Sequence, residues 1–197
     1  MKLRNITKSH GARLALVGVP VGIAVAVVTA GVANGAVPVS FSISGQQFKL
    51  SADALDGTGF SQYAGEATDK DGNTHPVISA NIASATLTNL CQSIVTDTPA
   101  GKVGVMITAG GGGEPVTASG LQIGMTDLQG DASFSNIRIG VDASQVSTDI
   151  KGGAGDFGQD ADSITISGLK QTAWTTQAAV FELKGMHVQI TGGDECY

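Results

Sequence analysis

Asp69-Lys70-Asp71-Gly72-Asn73 is the stretch whose residue types and spacing come nearest to a metal site. Oxygen-bearing side chains at alternate positions are what the opening of a calcium-binding EF-hand loop offers a hard cation. The pattern then departs from that loop. Thr74 stands where a glycine is needed, Pro76 follows, and Ala80 replaces the bidentate glutamate. The segment reads as a polar turn, with Asp69, Asp71 and Asn73 the candidate ligands and calcium the one cofactor in question. Gly152-Gly153-Ala154-Gly155-Asp156, followed by Asp160 and Asp162, is similar to a calcium-binding β-roll repeat but is not itself repeated, so it reads as a solvated acidic loop. A calcium site at either place would have the millimolar affinity of extracellular modules.

Nucleophilic hydrolysis needs a serine held against a histidine that a carboxylate orients. Gly59-Phe60-Ser61-Gln62-Tyr63 begins the nucleophile elbow of an α/β-hydrolase and fails at its last glycine. His10 lies in the N-terminal segment, His75 precedes Pro76 in a turn, and His187 sits between Met186 and Val188 on the polar side of an alternating run. His10 leaves with that segment and the other two read as solvated residues, so no catalytic residue is assigned. Trp174, the single tryptophan, reads as a core or rim anchor.

Cys91 and Cys196 are the only cysteines. In an oxidising compartment an isolated pair predicts one disulfide, which would staple the C-terminus to the middle of the chain. Closing so long a loop corresponds to about 4 to 5 kcal/mol in the chain-entropy description.

The compartment follows from the N-terminus. Lys2, Arg4, Lys8 and Arg13 precede an uncharged, largely apolar run from Leu14 to Ala33, and no acidic residue precedes Asp53. That order is an export signal with a cut after Ala33 or two residues later. The run is also long enough, at ~20 residues, to remain as a membrane anchor. Both readings make residues 1–33 a signal peptide or uncleaved anchor and residues 34–197 a single extracytoplasmic β domain. Without the first segment, 7 basic residues face 17 acidic ones, a net charge of −10, which argues against nucleic acid as a partner.

Composition points to strands. Only 14% of the 197 residues are charged while 28 are glycine, about twice the usual share of roughly 7%. Val37, Val39, Phe41 and Ile43 alternate with small polar residues, and Phe48, Leu50 and Ala52 resume the alternation after Ser44-Gly45-Gln46-Gln47, which predicts an opening hairpin. The same period recurs at Val103–Ile107, Leu121–Met125, Ile137–Val141 and Met186–Ile190. Gly110–Gly113 and Gly152–Gly155 read as loops, and Ala80–Ala85 has some helical capacity.

Four segments share the order apolar, polar, Asn or Gly, apolar: Leu87-Thr88-Asn89-Leu90, Phe134-Ser135-Asn136-Ile137, Ile166-Ser167-Gly168-Leu169 and Leu183-Lys184-Gly185-Met186. Residues three apart on a strand face opposite sides. A positive φ at the Asn or Gly would bulge the strand and return both apolar residues to one face. The predicted fold is therefore all-β: a curved antiparallel sheet, a sandwich or an irregular β-helix, preceded by the N-terminal signal or anchor helix.

Ser42-Ile43-Ser44-Gly45-Gln46-Gln47-Phe48-Lys49, Leu55-Asp56-Gly57-Thr58-Gly59-Phe60, Leu90-Cys91-Gln92-Ser93 and Ile137-Arg138-Ile139-Gly140-Val141-Asp142-Ala143 carry a resemblance over nearly the whole chain. With them the sequence resembles a family of actinobacterial, chiefly streptomycete, exported proteins of unknown function. The resemblance implies a place in the cell envelope and, since similar proteins are encoded beside a small multi-spanning membrane protein, that protein as a candidate partner. Its members often carry a cholesterol esterase label, for which this chain supplies no hydrolase elbow.

Three functions compete. A curved sheet could bind a lipid, another hydrophobic ligand or an envelope partner without catalysis. It could instead assemble with itself as a structural surface protein, a homo-oligomer. The third reading is an esterase acting on cholesteryl or lipid esters. An apolar groove of several hundred cubic ångströms would favour a bound lipid, whereas a filled interior with flat apolar patches would favour assembly.

Overall fold

The computed structural model describes residues 40–197 and is nearly all β. Ten strands form one sheet: β1 (Ser40–Ile43), β2 (Phe48–Asp69), β3 (Thr74–Thr88), β4 (Leu90–Thr98), β5 (Gly101–Ala109), β6 (Val116–Ser135), β7 (Arg138–Asp142), β8 (Phe157–Gln177), β9 (Val180–Glu182) and β10 (His187–Thr191). β2 pairs with β3, β3 with β6, β6 with β8, and β8 with β2, all antiparallel, so the four longest strands close a ring. The curved antiparallel sheet thus becomes a barrel, which removes the edges of these strands. The signal or anchor segment lies outside the described residues. Among those residues no helix is long and apolar enough to cross a membrane.

Several of the ten strands are pieces of longer ones. β3 and β4 hold one register against β2, from Ala54 opposite Thr88 to Ser51 opposite Cys91, with only Asn89 between them. β8 and β9 likewise hold one register against β6. The positive φ that the repeat predicts at its Asn or Gly is present at all four places, although the register against the facing strand does not shift across Asn89 or Asn136, so these two are bends without an inserted residue. Asn89, Asn136, Gly168 and Gly185 have φ of 50°, 53°, 63° and 63°. Leu87 and Leu90 are consequently both buried, as are Ile166 and Leu169. Each asparagine is held in its bend by an aspartate on the facing strand: Asn89 Nδ2 donates to Asp53 Oδ2 at 2.5 Å and Asn136 Nδ2 to Asp162 Oδ2 at 2.6 Å.

Two further segments obey the same rule. Gly120 has a φ of 58° between buried Ala118 and Leu121, and Gly59 a φ of 66° between buried Gly57 and Phe60. These bends let inward-facing residues from all four ring strands converge on one core, including Leu55, Phe60, Ile82, Leu87, Val116, Leu121, Ile164 and Leu169. An apolar gap inside, between Leu50, Leu55, Leu121, Leu169 and Phe181 among others, is about 10 Å³. That is room for at most one water molecule.

Two local expectations give way. β1 does not form a hairpin with the start of β2; it pairs in parallel with Glu66–Asp69 at the far end. β2 is 22 residues long and winds so far about the barrel that its end returns beside the residues preceding its start. Ala80–Ala85 is strand, not helix, because Ala80, Ile82 and Ala85 are drawn into the barrel core. Gly110–Gly113 and Gly152–Gly155 lie in loops.

Candidate functional site

The turn between β2 and β3 gathers the first set of candidate residues. Asp69 Oδ1 accepts from the backbone N–H of Asp71 and Asn73, both at 2.9 Å, and Asp69 Oδ2 accepts from Asn73 Nδ2 at 3.0 Å. His75 Nε2 lies 3.1 Å from the same oxygen. The Asn73 amide and His75 hold the Asp69 carboxyl well below the usual carboxylate range. Asp71 points away and pairs with exposed Lys70. The structure therefore joins Asp69 to Asn73 as the brace of the turn and leaves Asp71 outside. Among the described residues no group of three His, Cys, Asp or Glu side chains is placed to hold a metal ion.

His75 is half-buried rather than solvated. Its ring stacks on Trp174 with centroids 4.0 Å apart, and Trp174 packs on Ala67 and Val77. An Asp-His pair is two thirds of a hydrolytic triad. The third member is missing among the described residues, where Asp69 is the only hydrogen-bond partner of His75. Ser61 is buried elsewhere, with its Oγ 2.5 Å from Thr148 Oγ1 and accepting from Asn81 Nδ2 at 3.2 Å. His187 is exposed on β10.

The Ser61 cluster belongs to a strap, residues 143–156, laid over the outside of β2 and β8. Asp142 caps its first turn, the 3-10 helix Ala143–Gln145, by accepting from Ser144 N–H and Gly155 N–H. Asp160, expected in a solvated loop, is instead buried on β8. It takes a two-pronged contact from Arg138, at 2.8 and 2.5 Å, and a third from Ser147 N–H. That arrangement lowers the Asp160 pKa, chiefly through Arg138, and raises that of Arg138. Tyr63 closes the cluster, its phenol pushed up by burial against the opposing pull of Asn81. Composition could not point to this site, because Arg138 and Asp160 meet only when β7 folds against β8.

The third arrangement is apolar. Beyond Leu90 and Ala109, which belong to the core, β4 and β5 run out of the ring with β10 on their far side. The rows Leu50, Gln92, Ile107, Val188 and Ile94, Val105, Ile190 are each aligned across neighbouring strands. They share the face that lines the barrel, and exposure grows outward, from 5% at Leu50 through 37% at Val105 to 80% at Ile190. Val103 and Val188 lie exposed on the same face, and Met186, just before β10, is exposed as well.

On the opposite face the C-terminal tail covers β4 and β5 around Ser93 and Gly104, while His187 and Gln189 of β10 stay exposed. Cys91 and Cys196 form a disulfide, with Cα atoms 5.8 Å apart. Cys196 N–H donates to Ser93 Oγ at 3.0 Å, and a Cβ at Gly104 would collide with Thr191 Oγ1, so glycine there lets the tail lie flat. Lys49 anchors the chain end, donating to Glu195 Oε2 at 2.8 Å and to the Tyr197 carbonyl at 3.1 Å.

Residues 44–197 match a family whose description is Family of unknown function (DUF6230). The chain belongs to the DUF6230 family. No curated protein and no solved structure matches it. What a DUF6230 domain does must therefore be argued from its own surfaces. A further depression among the described residues, about 350 Å³, is shallow and crosses β3, β2 and β8 between Thr58, Ser84, Thr86, Ser163, Thr165 and Asp56. Its lining mixes these hydroxyls and a carboxylate with Ala85 and Ile164, and its open form would leave an acyl chain largely in water.

Proposed function

We propose that this DUF6230 protein is an exported, non-catalytic association module of the actinobacterial cell envelope. It works by holding another molecule against the bare apolar face of β4, β5 and β10. One observation carries the reading: the barrel interior is filled, while the face that lines it continues outward uncovered to Ile190, which is 80% exposed. A core with a gap of about 10 Å³ has no space to carry a lipid inside. Exposed contiguous apolar surface is what an interaction site offers. The envelope address is supported by the Cys91–Cys196 disulfide, since such bonds persist in oxidising compartments. Candidate occupants are a second copy of the chain and the small multi-spanning membrane protein that the family resemblance implies.

A lipid lying on the outer face is the second reading, because Val103, Val105 and Val188 would receive an acyl chain as they would an apolar side chain. Native mass spectrometry of protein purified from its producing cells separates the two. The first reading expects the bare polypeptide mass, a multiple of it or that mass with a second polypeptide, and the second expects an added lipid mass. The esterase reading has its one foothold in the Asp69–His75 pair. p-Nitrophenyl and cholesteryl esters should not be turned over above a boiled control, and turnover lost in His75→Ala would overturn the proposal.

A further inference from the structure

We infer that the occupant of this face is a second copy of the chain, joined by antiparallel pairing of β10 with β10 about a two-fold axis at Gln189. The inference rests on the association reading above and adds the partner and the register.

β10 pairs with β5 on one side only, and among the described residues nothing pairs with its other side. An edge strand presents unpaired N–H and C=O groups, which natural sheets blunt with a charge, a proline, a bulge or a cover. β10 has none of these. Its register against β5 runs without a shift from His187 to Thr191, and between Lys184 and Asp194 no residue is Asp, Glu, Lys, Arg or Pro.

The strand is also self-complementary. With Gln189 on the axis, Val188 of one copy faces Ile190 of the other, and His187 faces Thr191. Both apolar pairs fall on the bare face, so each exposed row continues into a row of the second copy. No like charges meet across the axis, which matters for a domain carrying 7 basic and 17 acidic residues after residue 33. An interface in which one patch serves both partners is the isologous arrangement of most homodimers. The tail contributes stiffness: the disulfide and the Lys49 contact tie the segment that follows β10 to β4 and β2 before the copies meet, which lowers the ordering cost of association.

A cysteine scan on the full chain tests this register. The native cysteines are already bonded to each other, so an added one has only its own copy to meet. Directly opposed Cβ atoms lie about 4.5 to 5.5 Å apart, at the edge of disulfide range. Gln189→Cys should cross-link into a dimer on non-reducing gels, whereas Thr191→Cys, facing His187 of the second copy, should not. Ile190→Lys should raise the dimer dissociation constant at least about tenfold. Val188→Glu combined with Ile190→Lys sets a glutamate against a lysine twice across the axis and should recover most of that loss. Far-ultraviolet circular dichroism checks that each surface variant keeps its strands. Equal cross-linking by Gln189→Cys and Thr191→Cys, or no cross-linking by either, would overturn the pairing. A monomer without ester turnover or bound lipid defeats the dimer alone, whereas turnover or a bound lipid defeats the association reading beneath it.

Discussion

The path of the sheet ends in two edge strands, β7 and β10, of five residues each and both rich in apolar side chains. β7 is closed off by its own sequence. Its register against β8 shifts between Ile139 and Val141, where Gly140 takes a φ of 82°, and such a bulge bends an edge away from further pairing. The chain then turns at Asp142 into the strap, and Arg138 is committed to Asp160. β10 has no bulge and no charge of its own; the tail that follows it is stapled over β4 and β5, and His187–Ile190 stay exposed on both faces. The difference teaches that exposed apolar residues alone do not mark an interface. Ile139 and Phe157 are 66% and 62% exposed beside a blunted edge, whereas Val188 and Ile190 stand beside an open one.

The contrast can be broken most strongly from the β10 side. Replacing Cys91 and Cys196 together by Ser frees the tail and should lower unfolding stability by about 2 to 5 kcal/mol in chemical denaturation. Hydrogen exchange should rise at His187–Thr191 far more than at Arg138–Asp142. On the β7 side, Asp160→Ala leaves the Arg138 guanidinium and Ser147 N–H without their acceptor, at a cost of about 1 to 3 kcal/mol. Exchange should then rise across the strap and β7 while β10 stays protected.

Acid should separate the two edges by the same logic. Asp142 and Asp160 both have pKa values lowered in the folded state, by Ser144 and Arg138 respectively. Their contribution is present above the ordinary aspartate value of about 3.9 and is lost as pH falls through the lowered folded values. Titration below about pH 4 should loosen the strap and β7 first, because the disulfide holding the tail has no proton to gain. The smallest effect belongs to Gly140→Ala. A Cβ there meets only Phe157 Cε2 at 3.9 Å, so the cost is confined to the left-handed backbone, about 1 kcal/mol, read as a small fall in Tm.

Much of the fold was legible because its rules are local. Alternation located most of the strands, and the Asn and Gly positions of the four-part repeat located the bends at Asn89, Asn136, Gly168 and Gly185. The same rule operates at Gly59 and Gly120 without a sequence signal, because Gly57 and Ala118 are too small to mark an inward position. Ring closure was not legible. It depends on β2 meeting β8 about a hundred residues away, a pairing that no local pattern records. The Asp160–Arg138 clamp was hidden for the same reason. Nor could alternation say which apolar face would find a cover: Val105 and Ile190 follow the same pattern as Leu121 and Ile123, and only the topology leaves the first pair outside.

Sedimentation equilibrium of the protein, of Ile190→Lys and of Ile139→Lys tests the central claim most directly, since it compares the two edges in one experiment. The open edge predicts a dimer for the unmodified protein and for Ile139→Lys, with Ile190→Lys shifted to monomer. A monomer at every concentration for the unmodified protein, or a dimer lost in Ile139→Lys and retained in Ile190→Lys, would contradict the account.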